Sequence, residues 1–206
     1  MSHKADLCYR FEYEGYVFET YNQYPRLAFK QVTQTHSANV CEYVDDTFDD
    51  PFDESAECDG IVSFMDNPPA LGMKTADCLA IGIVGRSGIA VLHAGWRGLH
   101  KKIISHSLIE RIDPRFFIIS PHISASNYEV GEEFLDYFDQ NISLDRVDGK
   151  LVFSQPREAV HQIRSRFPDV PIEVSHLCTF DSDMLHSYRR ERGSGRNVNI
   201  LRKMPA

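Results

Sequence analysis

The 206-residue chain has no apolar run approaching the ~18–20 residues that span a bilayer. Its first ten residues are polar and interrupted by Asp6, unlike the start of a secretory signal. Both features predict a cytoplasmic protein with no membrane partner. Basic charge is not in excess. The formal net charge is −8, which weighs against a binder of nucleic acid. No CxxC pair occurs, and the five cysteines are odd in number and widely spaced, so no disulfide framework is expected. At least three of them read as buried apolar side chains. No internal repeat and no Gly/Ser/Pro-rich linker divides the chain, which predicts one domain over residues 1–206. The composition, 42% hydrophobic and 25% charged, is that of a folded domain with a real core.

The negative charge is unevenly placed. Asp45 to Asp59 contains eight acidic residues and no basic one, equal to the whole net charge. The stretch lacks the spacing and turn glycine of an EF-hand loop, so it reads as a solvated loop. The tail from Tyr188 to Lys203 is basic.

Periodicity and turn residues suggest a mixed set of elements. Strands are expected within Tyr9–Tyr21, Lys30–Gln34, Gly60–Phe64, Cys78–Val84, Ile89–His93, Phe116–Ser120, Leu151–Phe153, Val170–Val174 and Val198–Leu201. Leu99, Ile103, Leu108 and Ile112 recur at helical spacing and predict a helix from Trp96 to Arg111. Tyr128–Phe138 reads as a loop turning into a helix. Ser154 is placed to cap a helix containing Val160, Ile163 and Phe167. Without strict βαβ alternation, this pattern predicts an α/β or α+β layered sandwich on a mixed sheet.

The centre of the chain carries the chemistry. Two apolar runs, Cys78–Val84 and Ile89–His93, flank the turn residues Gly85-Arg86-Ser87-Gly88 and read as a hairpin buried on both faces. A two-residue turn would place Cys78 directly opposite His93, and a four-residue turn would make them diagonal neighbours on one face. A thiol beside an imidazole is an activated nucleophile, or, with a third ligand, a zinc site. The alternative is that Cys78 is a buried apolar side chain and His93 a core histidine. Ala94-Gly95-Trp96-Arg97-Gly98 follows, where small residues permit close approach and Arg97 beside a helix start suggests an anion site.

These segments are similar to those of the YfiH/DUF152 family, also labelled multicopper polyphenol oxidoreductase (laccase) or purine nucleoside phosphorylase. The resemblance is carried by Gln34-Thr35-His36-Ser37, Asp59-Gly60-Ile61-Val62-Ser63, Thr75-Ala76-Asp77-Cys78 and His93-Ala94-Gly95-Trp96-Arg97-Gly98. Tyr128-Glu129-Val130-Gly131, Cys178-Thr179, Ser187-Tyr188-Arg189-Arg190 and Gly195-Arg196 follow in family order. The resemblance implies a compact α/β sandwich distantly similar to toxin Cys-His deamidases. It implies a catalytic zinc held by His36, Cys78 and His93, with copper as the second choice of metal. It also implies phosphorolysis of adenosine, inosine and methylthioadenosine, with adenosine deamination as a possible further activity. Partners would be a purine nucleoside and phosphate, and the protein a monomer or small homo-oligomer.

Three ligands of N/N/S type leave one tetrahedral position open, the catalytic rather than the structural pattern. His36, Cys78, His93 and Arg97 are the candidate catalytic residues, and Arg189, Arg190 and Arg196 are further candidates to hold phosphate. The alternatives are a metal-free Cys-His hydrolase or deamidase, including one that edits peptidoglycan precursors, and a copper-dependent laccase. Nine histidines, mostly scattered, are few for a multicopper site. A zinc-stabilised binding module would need a fourth ligand that the sequence does not offer. The chain departs from the family in Ser120-Pro121-His122-Ile123-Ser124, where two glycines are lost, and in Ala80, where a proline is usual. It also has a short hairpin loop and a shortened stretch before Gln34. His122 and His176 are secondary candidates for acid–base roles, and Trp96 for stacking on a base.

Overall fold

The computed structural model describes residues 5–44, 56–193 and 195–205. In chain order its strands are β1 (Leu7–Tyr13), β2 (Tyr16–Tyr21), β3 (Val40–Glu42), β4 (Gly60–Ser63), β5 (Leu71–Thr75), β6 (Leu79–Gly85), β7 (Ile89–Ala94), β8 (Pro114–Ile119), β9 (Leu144–Val147), β10 (Lys150–Phe153), β11 (Ile172–Val174) and β12 (Asn197–Lys203). The α-helices are α1 (Trp96–His100), α2 (Ser107–Arg111), α3 (Gln155–Arg166) and α4 (Tyr188–Glu191).

Side-chain parity along the central hairpin organises the molecule. Leu79, Ile81 and Ile83 of β6 join one buried cluster, with Ala90, Leu92 and Ala94 of β7. Their alternates Ala80 and Val84, with Ile89 and Val91, join another. Both faces of the hairpin are therefore buried, as its unbroken apolar runs predict. It lies inside a six-stranded sheet of order β11-β8-β6-β7-β4-β3, in which β11–β8 and β3–β4 are parallel and the remaining pairs antiparallel. One face packs against the second sheet, β1-β2-β12-β5, through Phe18, Leu71, Met73 and Leu201. The other face packs against helical segments through Leu99, Ile103, Ile109, Phe134 and Ile163. The architecture is the expected mixed α/β sandwich.

Three strands, β3, β5 and β9, arise where the sequence carries no clean alternation. Lys30–Gln34, expected as a strand, forms only isolated bridges at Lys30 and Thr33. The expected helix over Trp96–Arg111 is three pieces: α1, a 3₁₀ turn at Ile103–Ser105, and α2. Lys102 adopts a left-handed φ of 60°, and the His106 imidazole accepts from Leu108 N, which restarts the chain as α2. Leu99, Ile103 and Ile112 are still fully buried, so the spacing identified the core face although the helix is broken. Tyr128–Phe138 contains a 3₁₀ helix at Glu132–Asp136. Ser154 caps α3 as expected, accepting from Arg157 N.

Cys41 and Cys58 are joined in a disulfide, with Cα atoms 6.2 Å apart. It is one bridge and not a framework. No helix among the described residues is long and apolar enough to cross a membrane.

Candidate active site

The hairpin turn decides how Cys78 meets His93. Gly85 N–H donates to Gly88 O at 2.9 Å, and the register pairs Ala80 with His93 and Leu79 with Ala94. The turn thus has four residues, and Cys78, two before Ala80, is the diagonal neighbour of His93 on the same face. His36 arrives from the turn that follows Thr33. The ligand atoms of His36, Cys78 and His93 all lie within 4.8 Å of one another, and the two imidazoles meet edge to face with centroids 4.7 Å apart. Two imidazoles and a thiolate suit zinc, and suit copper as well. Among the described residues no other group of this kind forms.

Asp59 holds this constellation together. Its Oδ1 accepts from His93 Nδ1 at 2.7 Å and from His36 N at 3.0 Å. Its Oδ2 accepts from Ser37 N at 2.6 Å, from Ser37 Oγ at 2.8 Å and from Thr35 N at 3.2 Å. A carboxylate only accepts, so the His93 proton sits on Nδ1 and Nε2 is left for the thiol or a metal. His36 itself has a left-handed φ of 58°, a conformation that the bonds to Asp59 hold in place. Asp59 was expected in a solvated acidic loop. It is instead fully buried, while Asp45 to Glu54 of that stretch lie outside the described residues.

The electrostatics follow from these bonds. Burial raises the Cys78 thiol, but the hydrogen bonds of His36 and His93 and their charge outweigh it and bring it down to about 6. Burial opposes charging of His93, but its bonds to Asp59 and Cys78 win and raise it to about 9. The Asp59 carboxyl falls well below the ordinary carboxylate range, because the His93 and Ser37 bonds outweigh the burial that would raise it.

The three side chains line a cavity of about 530 Å³ whose other walls include Gln34, Lys74, Thr75, Tyr188 and Arg196. Gln34 is fixed there by a reciprocal pair, Nε2 donating to Lys74 O and Oε1 accepting from Lys74 N, both at 2.8 Å. Gly95 makes room: a Cβ there would stand 3.0 Å from Cys78 Sγ.

The arginines separate into different roles. Arg97 is exposed, lies over the Trp96 ring at 4.5 Å, and is not among the cavity walls. The helix it opens, α1, has five residues. Arg189 lies over Tyr128 and donates to Glu129 O at 3.0 Å. Arg190 donates to the carbonyls of Thr179, Phe180, Ser182 and Leu185 and so ties a loop together. Only Arg196 of the three tail arginines reaches the cavity. His122 is buried and bonded to Ser120 O, and burial holds it below its ordinary value. His176 is exposed, and Trp96 packs on Phe134 and Tyr137. None of these three lines the cavity. Sequence reasoning missed Asp59, Lys74 and Gln34 as parts of the site. Their signal was their place inside or beside the matched segments Gln34–Ser37, Thr75–Cys78 and Asp59–Ser63.

A family model described as multi-copper polyphenol oxidoreductase laccase matches residues 18–203. A protein of Aquifex aeolicus named purine nucleoside phosphorylase is 36% identical over 172 residues, covering 82% of this chain and 79% of its own. The crystal structure of a Neisseria meningitidis protein of the DUF152 family model superposes with a TM-score of 0.73 at 23% identity, over 87% of this chain and 76% of that one. The crystal structure of the Bacillus licheniformis hypothetical protein YfiH gives 0.70 at 23% identity, over 85% and 74%. The chain belongs to the multi-copper polyphenol oxidoreductase (laccase) family, the YfiH/DUF152 family.

Proposed function

We propose that the protein is a metal-dependent purine nucleoside phosphorylase. The observation that carries this reading is the convergence of His36, Cys78 and His93 on one cavity that also has the cations Lys74 and Arg196 in its walls. The name of the Aquifex aeolicus relative supports it. The cavity falls within the ~300–1,000 Å³ range of small-molecule sites. Zinc held by the three side chains would act as a Lewis acid on the bound substrate.

The protein's own groups divide the remaining work. Lys74 and Arg196 hold phosphate, and Tyr188 offers a ring face to the base. In phosphorolysis a phosphate oxygen bonds to C1′ of the ribose as the C1′–N9 bond breaks. The electron pair leaves with the purine, which takes up a proton. Asp59 keeps His93 in one tautomer and fixes the turn that carries His36. Arg97 lies outside the cavity walls and is assigned no direct contact with phosphate.

The test is release of free base and ribose 1-phosphate from inosine, adenosine or methylthioadenosine by zinc-loaded protein, with and without phosphate. Phosphate-dependent release that is lost in Cys78→Ala supports the reading. Inosine formed from adenosine would add deamination. No release under conditions where the Aquifex aeolicus relative works would overturn it.

A metal-free Cys-His hydrolase is the second reading, and the Asp59–His93 bond beside a thiol at about 6 favours it. Turnover of an amide substrate that survives chelation would establish it. Complete protection of Cys78 from alkylation by zinc, with no metal-free turnover, would remove it.

A further inference from the structure

Asp77 has a φ of 91°, in the region that L side chains rarely occupy, and it directly precedes Cys78. Such a conformation persists only where the surroundings hold it. Four contacts do so. The Asp77 carbonyl accepts from Ile123 N and from Gln155 Nε2, each at 3.1 Å. Its carboxylate accepts from Thr179 Oγ1 at 2.7 Å through Oδ1 and from Arg189 N at 2.7 Å through Oδ2. Both partners are about a hundred residues away, and Thr179 is fully buried.

The carboxylate bonds fasten one particular segment. Its base is closed by the pair His186–Asn197, in which Asn197 Oδ1 accepts from His186 N at 2.9 Å and Asn197 Nδ2 donates to His186 O at 2.8 Å. Between these residues lie α4, capped by Ser187 Oγ accepting from Arg190 N, and two cavity walls, Tyr188 and Arg196. Ser187 and Asp77 each satisfy an N–H that a four-residue helix cannot satisfy for itself. Tyr188 sits immediately before the residue whose N–H Asp77 holds. Besides that bond the segment is tied at its base, through the Arg190 loop and by the Arg189 side chain, which lies over Tyr128 and donates to Glu129 O.

We propose that Asp77 is a positioning residue. It holds α4 against the entry to β6, so that Tyr188 and Arg196 face the same cavity as Cys78. Its role is geometric: an asparagine side chain can serve in its place, carbonyl to Arg189 N–H and amide to Thr179 Oγ1.

Hydrogen exchange by mass spectrometry on the zinc-loaded full chain tests this directly. In Asp77→Ala, amides of Ser187–Gly193 exchange about 10-fold faster or more, while β6 and β7 keep their protection. Asp77→Asn returns exchange to near wild type. The functional arm rests on the nucleoside reading. In Asp77→Ala the KM for inosine and phosphate rises about 10-fold or more, zinc content is unchanged, and kcat moves less. Unchanged exchange in Asp77→Ala overturns the proposal, as does failure of Asp77→Asn to restore it. If Asp77→Ala does not fold, Thr179→Val removes one bond with Asp77 in place. It must raise exchange locally between Leu177 and Gly193, and no local rise overturns the proposal. A wild type without phosphorolysis, beside an exchange change confined to the segment, rejects the nucleoside reading and upholds the positioning role.

Discussion

His93 donates its Nδ1 proton to Asp59 at 2.7 Å, and the same carboxylate caps the turn that presents His36. One buried residue therefore orients two of the three candidate ligands. Substituting Asp59 by Asn leaves an amide donor against N–H and O–H groups that also donate. Zinc affinity should fall by about 10–100-fold. Stability should fall by about 2–4 kcal/mol in urea denaturation, the range for a broken buried network. Unchanged zinc affinity, read by competition with a chromogenic chelator, would show that the bond does not support the site.

The same carboxylate makes stability depend on acid. Its folded value lies below the ordinary carboxylate range, so its contribution is present above that range. It is lost as pH falls from about 4 towards the lower folded value. The midpoint of urea unfolding should drop over this window in the wild type and drop less in Asp59→Asn. Equal slopes in both would rule Asp59 out as the source.

In metal-free protein Cys78 should be alkylated by iodoacetamide as a thiolate with a midpoint near pH 6, because reactivity rises as pH rises through the folded value of about 6. Peptide mapping separates it from Cys8, whose thiol burial and Asp6 push up. A Cys78 midpoint near the ordinary thiol value, about 8.5, would show that the imidazoles do not activate it.

Gly95→Ala would set a methyl group 3.0 Å from Cys78 Sγ. The neighbouring sulfur must give way, which should cost about 1–3 kcal/mol of stability. Metal occupancy should fall while the circular dichroism spectrum is retained. Full occupancy would mean that the site relaxes without loss.

Arg196→Ala should raise the KM for phosphate about 10-fold or more, with thermal stability nearly unchanged. Arg190→Ala should do the reverse in kind, lowering the melting temperature because four carbonyls lose a donor. Arg97→Ala, outside the cavity walls, should change the phosphate KM less than Arg196→Ala. A larger effect from Arg97 would return it to the anion site.

What could be read from the chain in advance has a common character. The central hairpin, the placing of Cys78 and His93 on one face of it and the Ser154 cap depend on residues near in sequence or on strict parity. Periodicity carries that information directly. The helix after Trp96 was misread because burial of Leu99, Ile103 and Ile112 needs only the right face. Continuity of the helix depends on the backbone conformation at Lys102 and on the His106 imidazole, which caps a new start.

Residue order alone indicated the apolar double-faced hairpin, the mixed α/β class and the nearness of Cys78 to His93, and the family resemblance added His36, which the fold brings beside them. Tertiary structure decided which charges are buried and what they hold. Asp59 stands at the end of an acidic run, and Arg190 beside Arg189, with nothing local to distinguish them. Their roles are set by partners that the chain brings from 22 to 34 residues away for Asp59, and from a folded loop of carbonyls for Arg190. A buried charge must find such partners, and only the packed chain determines which ones it finds.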